Sequence, residues 1–162
     1  MLSTVSRNGD GTFQAPIIYN SGGTYAVSVA IGDLNGDGKP DLAAVSQCNV
    51  KQVCTGGVVG VLLNTTPKAT TIMVVLSSVN PSLVNQSVTF TAAITSTLPI
   101  PNGQIVTFFD GAAKIGTAPT KNGAASLTAS FSIAKTHTIK AKYPGDSFHK
   151  PGLGTVMQVV NP

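Results

Sequence analysis

The stretch DLNGDGKPDL, Asp33 to Leu42, constrains the fold of this chain more than any other. Four oxygen-bearing side chains occur in it around two glycines, which let a backbone curl tightly: Asp33, Asn35, Asp37 and Asp41. Calcium prefers many oxygen ligands in flexible geometry, and the carbonyl of Lys39 can add another while its ammonium points outward. The spacing predicts a calcium-binding loop.

The flanks of this loop favour strands. The spacing D-x-N-x-D-G also begins the calcium loops that join two helices, but their twelfth position carries a bidentate glutamate. Here that position is Ala44, and the chain contains no Glu. Tyr25–Ile31 alternates apolar side chains on one face, and Leu42–Val45 is a short apolar run. The pattern predicts a strand, a metal loop and a second strand.

The stretch AVSVAIGDLNGDGKPDLAAV resembles the FG-GAP or VCBS type of repeat found in integrin-like β-propellers. NGDGTF at Asn8–Phe13 resembles the opening of that repeat, and GGVVGVLLN at Gly56–Asn64 resembles its closing strand. The resemblance implies a calcium ion between blade strands, with these ligands: Asp33, Asn35, Asp37, Lys39 through its carbonyl, and Asp41. A turn-rich connector without an ion is the alternative, because Asp, Asn and Gly also favour turns.

The composition favours an all-β protein. The chain has 162 residues, of which 42% are apolar and only 10% charged, with abundant Thr, Ser, Val, Gly and Pro. It has no apolar run of about 18 residues that could span a membrane. Met1–Phe13 has no apolar core typical of a secretory signal, although the composition and the repeat type suit an extracellular or cell-surface protein.

The net charge of +4 is unevenly distributed. Residues 1–66 carry three Lys or Arg against four Asp, a balance of −1, and residues 67–162 carry seven Lys against two Asp, a balance of +5. The lysines lie in loops and outward strand positions without interleaved aromatic residues. Such a distribution is typical of a solvated surface, so we expect no nucleic-acid partner.

The cysteines Cys48 and Cys54 lie close together in the polar segment SQCNVKQVCTGG. A disulfide that staples a hairpin loop is predicted, and it would stabilise the loop by roughly 2 kcal/mol in the chain-entropy model. It also implies an oxidising compartment. Free thiols and metal ligation are the alternatives, and the second lacks a nearby His or Cys pair.

The string NGDG occurs a second time, at Asn8–Gly11. Only Asn8 and Asp10 supply side-chain oxygens there, and the apolar Ala15–Tyr19 follows. A tight hairpin turn is therefore predicted here in preference to a second metal site.

A domain boundary is predicted at Asn64–Thr71, where Pro67 and polar residues interrupt the apolar periodicity and divide the chain into residues 1–66 and 67–162. Six strands are predicted beyond it: Thr70–Ser78, Ser87–Ser96, Gln104–Asp110, Ala124–Ser132, Thr136–Tyr143 and Thr155–Asn161. Two of them alternate in a way that would bury one face between packed sheets, through these side chains: Val88, Phe90, Ala92, Ile94, Ile139, Ala141 and Tyr143.

This second half resembles the bacterial Ig-like repeat found in tandem on surface proteins. NPSLVNQSVTFTAAITS, PNGQIVTFFDG and THTIKAKYPGDSFHK occur in the order of that family, over about Lys68 to Asn161. The resemblance implies a β-sandwich that acts as a spacer or adhesive stalk, a fold that does not specify a ligand. Within it, Lys121-Asn122-Gly123 predicts a hairpin turn.

Catalytic motifs are missing from the sequence. His137 and His149 are the only candidate bases at neutral pH, and no nucleophile-elbow, C-x-x-C, P-loop or zinc-protease string occurs. His137 is predicted to pack at the end of a sheet, on the face of Ile139, and His149 is predicted to be solvated. We expect a chain that is not an enzyme.

The sequence thus predicts one β-propeller-type blade followed by an Ig-like β-sandwich. A propeller closes with about four to eight four-stranded blades, so Leu2–Thr66 supplies barely more than one and leaves the Val58–Leu63 face without neighbours.

Two functions remain open. One is a calcium-binding structural or adhesive module of a bacterial extracellular or cell-surface protein, whose partners are neighbouring repeats of a longer chain and a surface protein or polysaccharide. The other is an accessory fragment of a larger secreted hydrolase, with a spacer and a polysaccharide-binding element. Sugar platforms usually need exposed Trp or Tyr, and a chain with no Trp and three Tyr favours the first function.

Overall fold

A computed structural model of the chain describes residues 2–5 and 10–162. These residues form strands, turns and loops and no helix, hence no helix that could cross a membrane. They are arranged in two compact units, Met1–Thr66 and Pro67–Pro162. The all-β class predicted from the sequence is confirmed.

The first unit contains a short antiparallel pair and a three-stranded antiparallel sheet. The pair consists of β1 (Leu2–Thr4) and β2 (Ile17–Tyr19). The sheet has the order β3 (Gly23–Gly32), β4 (Asp41–Asn49) and β5 (Val58–Leu62). The predicted metal loop joins β3 to β4, so the predicted order of strand, loop and strand is confirmed.

The sheet of the first unit is apolar on both faces, and much of that surface is exposed. On one face Val29 and Ile31 are 47% and 72% exposed, and on the other Val59 and Val61 are 66% and 55% exposed. A strand that is apolar on both sides is typical of a sheet covered on both sides. The first unit therefore carries more apolar surface than its own strands cover.

The predicted tight turn at Asn8–Phe13 begins outside the described residues. In its described part, Asp10 Oδ1 accepts hydrogen bonds from the hydroxyl and the amide of Thr12, at 2.6 and 2.9 Å. The Asp10 side chain therefore closes the described part of this turn.

The second unit is a sandwich of eight strands: β6 (Thr71–Ser77), β7 (Ser82–Leu83), β8 (Val88–Ser96), β9 (Ile105–Asp110), β10 (Ala113–Pro119), β11 (Ala124–Ala129), β12 (Thr136–Tyr143) and β13 (Gly152–Asn161). One sheet has the order β10-β9-β12-β13-β7, with β13 and β7 parallel, and the other has the order β11-β8-β6.

The core of this unit lies between the two sheets. The side chains predicted to face inward are buried: Val88, Phe90, Ala92 and Ile94 on β8, and Ile139, Ala141 and Tyr143 on β12. Val106 and Phe108 on β9 are also completely buried. Strand alternation alone places one side chain in two on the inner face, and here both sheets direct that face at the other.

The strand β10 was not predicted, because Lys114, Gly116 and Pro119 interrupt its apolar pattern. Its pairing with β9 shifts register between Lys114 and Gly116. A Cβ at Gly116 would lie 2.8 Å from Leu127 Cδ1, so a larger residue here would require the Leu127 side chain to shift. Tertiary contacts determine this strand where local propensity does not.

The predicted turn at Lys121–Gly123 is confirmed. Asn122 and Gly123 have φ of 52° and 77°, which Asn and Gly adopt most readily. Lys121 and Ala124 exchange two backbone hydrogen bonds across the turn. The turn leads from β10 in one sheet to β11 in the other.

We predict that Lys68–Pro162 folds on its own, because its two sheets bury a complete core. Urea unfolding of this fragment should be cooperative. Phe108→Ala should lower its free energy of unfolding by about 3–5 kcal/mol, whereas the half-exposed Ile105→Ala on the same strand should have a much smaller effect. A broad, non-cooperative transition would show that the boundary is misplaced.

Candidate metal site

The loop between β3 and β4 is ordered by the carboxylate of its first residue. Asp33 accepts hydrogen bonds from the amides of Gly36, Asp37 and Gly38, at distances of 2.8 to 3.1 Å. Gly36 and Gly38 have φ of 77° and 80°, a left-handed conformation that glycine adopts at no steric cost. The two glycines therefore let the loop curl and bring its amides to Asp33.

The next two oxygen donors of the loop also hold backbone amides. Asn35 Oδ1 accepts a hydrogen bond from the Asp37 amide at 3.0 Å, and Asp37 Oδ1 accepts one from the Lys39 amide at 2.9 Å. The Lys39 amide and, less strongly, the Lys39 charge lower the pKa of the Asp37 carboxyl against the effect of burial. Asp37 is therefore a carboxylate at neutral pH.

Asp41, at the start of β4, is buried, with 1% of its surface exposed. The side chains of Asp33, Asn35 and Asp37 are not buried. Its Oδ2 accepts a hydrogen bond from the Leu34 amide at 2.9 Å, and its Oδ1 accepts one from the Asn64 amide at 2.7 Å. Asp41 thus links the beginning of the loop to the segment after β5.

The prediction that the Lys39 ammonium points outward is wrong. Lys39 is only 8% exposed. Its Nζ donates a hydrogen bond to the Thr66 carbonyl at 2.7 Å and lies 3.5 Å from Asp37 Oδ2. A buried charge is stable only when it is paired or hydrogen-bonded, and these two oxygens provide the compensation.

In chemical type the donors of the loop fit a hard cation such as calcium. As cation ligands Asp33, Asn35 and Asp37 offer oxygen atoms. Asp33 Oδ2, Asn35 Oδ1 and Asp37 Oδ1 each accept one amide and so retain a second lone pair. Within residues 2–5 and 10–162, however, no group of three or more His, Cys, Asp or Glu side chains is arranged to hold a metal ion. The loop is thus closed by its own amides, and its four acidic and amide side chains remain candidate ligands.

The predicted disulfide between Cys48 and Cys54 is present, with the two Cα atoms 4.1 Å apart. Cys48 lies within β4 and is buried, and Cys54 lies in the loop before β5. The bridge therefore fastens this loop to the end of a central strand. The alternatives of free thiols and of metal ligation do not apply to these two residues.

His137 packs at the end of a sheet, as predicted. It is 4% exposed on the face of β12 that carries Ile139. Its Nδ1 lies 2.7 Å from Asp110 Oδ2, its Nε2 lies 3.1 Å from the Ile133 carbonyl oxygen, and its ring centroid lies 4.2 Å from that of Phe131. These contacts give the ring a structural role.

The prediction that His149 is solvated is wrong. The side chain is 3% exposed; its Nδ1 donates a hydrogen bond to the Asp146 carboxylate at 2.8 Å, and its Nε2 lies 3.3 Å from the Leu98 carbonyl oxygen. Asp146 also accepts hydrogen bonds from the Tyr143 hydroxyl at 3.0 Å and from the Phe148 amide at 2.8 Å. The three-residue spacing of Asp146 and His149 was the only signal in the sequence for this cluster.

Burial and hydrogen bonding shift two pKa values in this cluster. Burial alone would raise the pKa of Asp146, but hydrogen bonds from the Phe148 amide, the His149 ring and the Tyr143 hydroxyl outweigh it and lower the pKa. Burial, followed by the hydrogen bond to Asp146, raises the pKa of Tyr143 to about 12. The cluster is therefore arranged around an ionised Asp146 and a neutral Tyr143.

Among the surface clefts are one of about 360 Å³ in the first unit and one of about 500 Å³ in the second. The first is lined by apolar, threonine and asparagine residues and by Pro40 and Tyr19 beside the metal loop. The second lies beside the turn at Asn122 and Gly123. The described lining of neither cleft contains a carboxylate, imidazole, thiol or amine.

Family comparison agrees with the two units. Residues 74–161 match the bacterial Ig-like domain (group 3), and residues 3–44 match the FG-GAP-like repeat. Because the first match covers more than half of the chain, the chain belongs to the bacterial Ig-like domain family of group 3, with an FG-GAP-like repeat before that domain. The resemblance read from the sequence is confirmed. Comparisons with curated proteins and with solved structures found no match.

These two domain types together indicate a repeat-type structural or adhesive module, and both are typically non-catalytic. Both are also common in extracellular or surface proteins and associate with neighbouring domains of a longer chain.

We predict that acid destabilises the second unit through Asp146. Its pKa is lowered from 3.8 on folding, so its contribution is complete above that pH and is lost as the pH falls through the lower value of the folded state. Asp146→Asn should make the free energy of unfolding of the second unit less dependent on pH in acid. Urea unfolding, followed through the NMR signals of β12, measures this. Asp10→Asn, in the first unit, should leave it unchanged. Equal acid dependence in wild type and Asp146→Asn would contradict the prediction.

Proposed function

We propose that this chain is a non-catalytic, calcium-binding structural or adhesive module of a bacterial extracellular or cell-surface repeat protein. The observation that carries the proposal is the loop between β3 and β4. It lies inside the segment that matches the FG-GAP-like repeat, and its side chains from Asp33 to Asp37 offer only oxygen donors to a cation.

Calcium would be held by Asp33, Asn35, Asp37, Asp41 and the carbonyl of Lys39. The chemistry that it would supply is neutralisation of carboxylates that repel one another, which costs most at short distance and low dielectric. Because Asp41 already ties the loop to the segment after β5, a cation bound here would stiffen all three strands of the sheet. The ion would thus be structural.

The exposed faces of this sheet support neighbouring repeats as partners. Val29 and Ile31 on one face and Val59 and Val61 on the other are each about half exposed or more. Monomeric soluble proteins seldom leave contiguous apolar surface uncovered. We therefore assign the first unit the role of one blade, with further repeats of a longer chain on both sides.

An accessory role in a secreted hydrolase receives less support. Of the three tyrosines, Tyr143 is completely buried in the second unit. Tyr19 and Tyr25, which are 38% and 67% exposed, are left as sugar platforms. The disulfide suits either role, because both place the chain in an oxidising compartment.

We predict that the chain binds one calcium ion with a dissociation constant on the order of 10⁻⁴ to 10⁻³ M, the range of extracellular modules. Isothermal titration calorimetry of the full chain measures it. Asp37→Ala should abolish the binding heat, because it removes a charged donor. Asp10→Ala, which removes the carboxylate of the other NGDG string, should bind as the wild type does.

Absence of calcium heat in the wild type would overturn this proposal, and so would equal heat in wild type and Asp37→Ala. Loss of binding in Asp10→Ala would place the ion at Asn8–Gly11 and not in the loop between β3 and β4.

We further predict that the first unit does not stand alone stably. In the full chain, its exposed apolar faces should cause concentration-dependent association, which light scattering detects. Otherwise Tyr25–Leu63 should be weakly protected from hydrogen exchange even with calcium. The double variant Val59→Thr/Val61→Thr should reduce the association, while Ile105→Thr, at an exposed site in the second unit, should not. A clean monomer with strong protection throughout Tyr25–Leu63 would show that a lone blade is stable.

A further inference from the structure

We propose that the Lys39 ammonium is an internal cation of the loop that competes with calcium for the Asp37 carboxylate. This inference rests on the proposed calcium site and assigns a new role to a side chain that was not expected to reach it. Its consequence is that Lys39 lowers the affinity of the site and stabilises the loop when calcium is absent.

The positive charge of Lys39 is buried. The Lys39 side chain is 10% exposed, and lysine is almost never buried to this degree unless its charge is compensated. Its ammonium has one short contact, with the neutral Thr66 carbonyl at 2.7 Å. Asp37 Oδ2, at 3.5 Å, supplies the negative charge.

The Lys39 ammonium and a bound calcium ion would both need the Asp37 carboxylate. Asp37 Oδ1 already accepts the Lys39 amide at 2.9 Å, so Oδ2, which faces the ammonium, is its less occupied oxygen. A calcium ion bound to this carboxylate would lie near the ammonium, and like charges repel most strongly where water is partly excluded. Calcium binding and the pairing of Lys39 with Asp37 therefore oppose each other.

Lys39 also makes the net charge of the loop less negative. Asp33, Asp37 and Asp41 contribute three negative charges and Lys39 one positive charge, a balance of −2. Replacing Lys39 by a neutral residue would make the balance −3 without touching any proposed ligand, since the backbone carbonyl is retained. Calcium affinity rises with the number of charges around the site.

The experiment is calorimetric titration of the full chain with calcium chloride. Lys39→Met keeps the length and the apolar stem but removes the charge, and Lys39→Gln also keeps a donor for the Thr66 carbonyl in case Lys39→Met does not fold. Both should bind calcium about tenfold more tightly than the wild type, the scale of one unit charge beside a divalent ion in a partly solvated site. Lys51→Met, which removes an exposed charge from the same unit, should bind as the wild type does.

Hydrogen exchange of the Gly36, Asp37 and Gly38 amides provides a second measurement. Without calcium these amides should exchange faster in Lys39→Gln than in the wild type, and saturating calcium should remove the difference. Faster exchange that calcium does not correct would indicate a merely structural lysine and overturn the inference.

The titration has three outcomes that bear on the two proposals. Equal or weaker calcium binding by the neutral variants than by a calcium-binding wild type would overturn the role of Lys39 and leave the calcium site standing. Binding by the neutral variants alone would support the role of Lys39 and show that it replaces calcium in the native chain. No binding by any variant would overturn both.

Discussion

The first unit depends on the burial of one carboxylate. Asp41 is 1% exposed, and its charge is held by hydrogen bonds from the amides of Leu34 and Asn64. Charge-assisted hydrogen bonds of this kind are about twice as strong as neutral ones, and removing either amide would leave a buried charge unsatisfied. Asp41 therefore links the loop to the chain after β5, and the hydrogen bond from Lys39 Nζ to the Thr66 carbonyl adds a second link.

The two units differ in how far their apolar side chains are covered. The second unit directs the apolar faces of two sheets at each other and places Val88, Phe90 and Phe108 at zero exposure. The first unit leaves apolar residues exposed on both faces of its three-stranded sheet, such as Ile31 on one face and Val59 on the other. Small sheets of this kind bury too little surface to offset the entropy of folding. The loop between β3 and β4 and the disulfide add contacts to this sheet, and in the role proposed above neighbouring repeats would supply further stability.

The features that the sequence predicted are those determined by local pattern. Alternation placed Val88 to Ile94 and Ile139 to Tyr143 in the core, and Asn122-Gly123 identified a turn, because period-2 patterns and positive φ leave direct marks in a sequence. The strand β10 leaves no such mark, since it exists through its pairing with β9 and the contact of Gly116 with Leu127. Its prediction required knowledge of the tertiary structure.

The errors at the candidate sites have the same origin. Both Lys39 and His149 are predicted to be in solvent, and both are buried, each with one hydrogen-bond partner that is distant in sequence. The Thr66 carbonyl and the Leu98 carbonyl lie far from them in sequence, and backbone oxygens have no residue type by which to recognise them. Polar side chains are thus the ones for which a sequence predicts exposure least well.

A buried lysine inside a calcium-type loop changes what such a loop requires. Without a cation, neighbouring carboxylates would repel one another and disorder the loop, so an ion would be needed for folding. Here Asp33 and Asp41 are satisfied by five amides and Asp37 by Lys39, so the loop has a compensated arrangement of its own. At the calcium site proposed above, a cation would compete with those contacts, which would lower its affinity towards the millimolar range of extracellular modules.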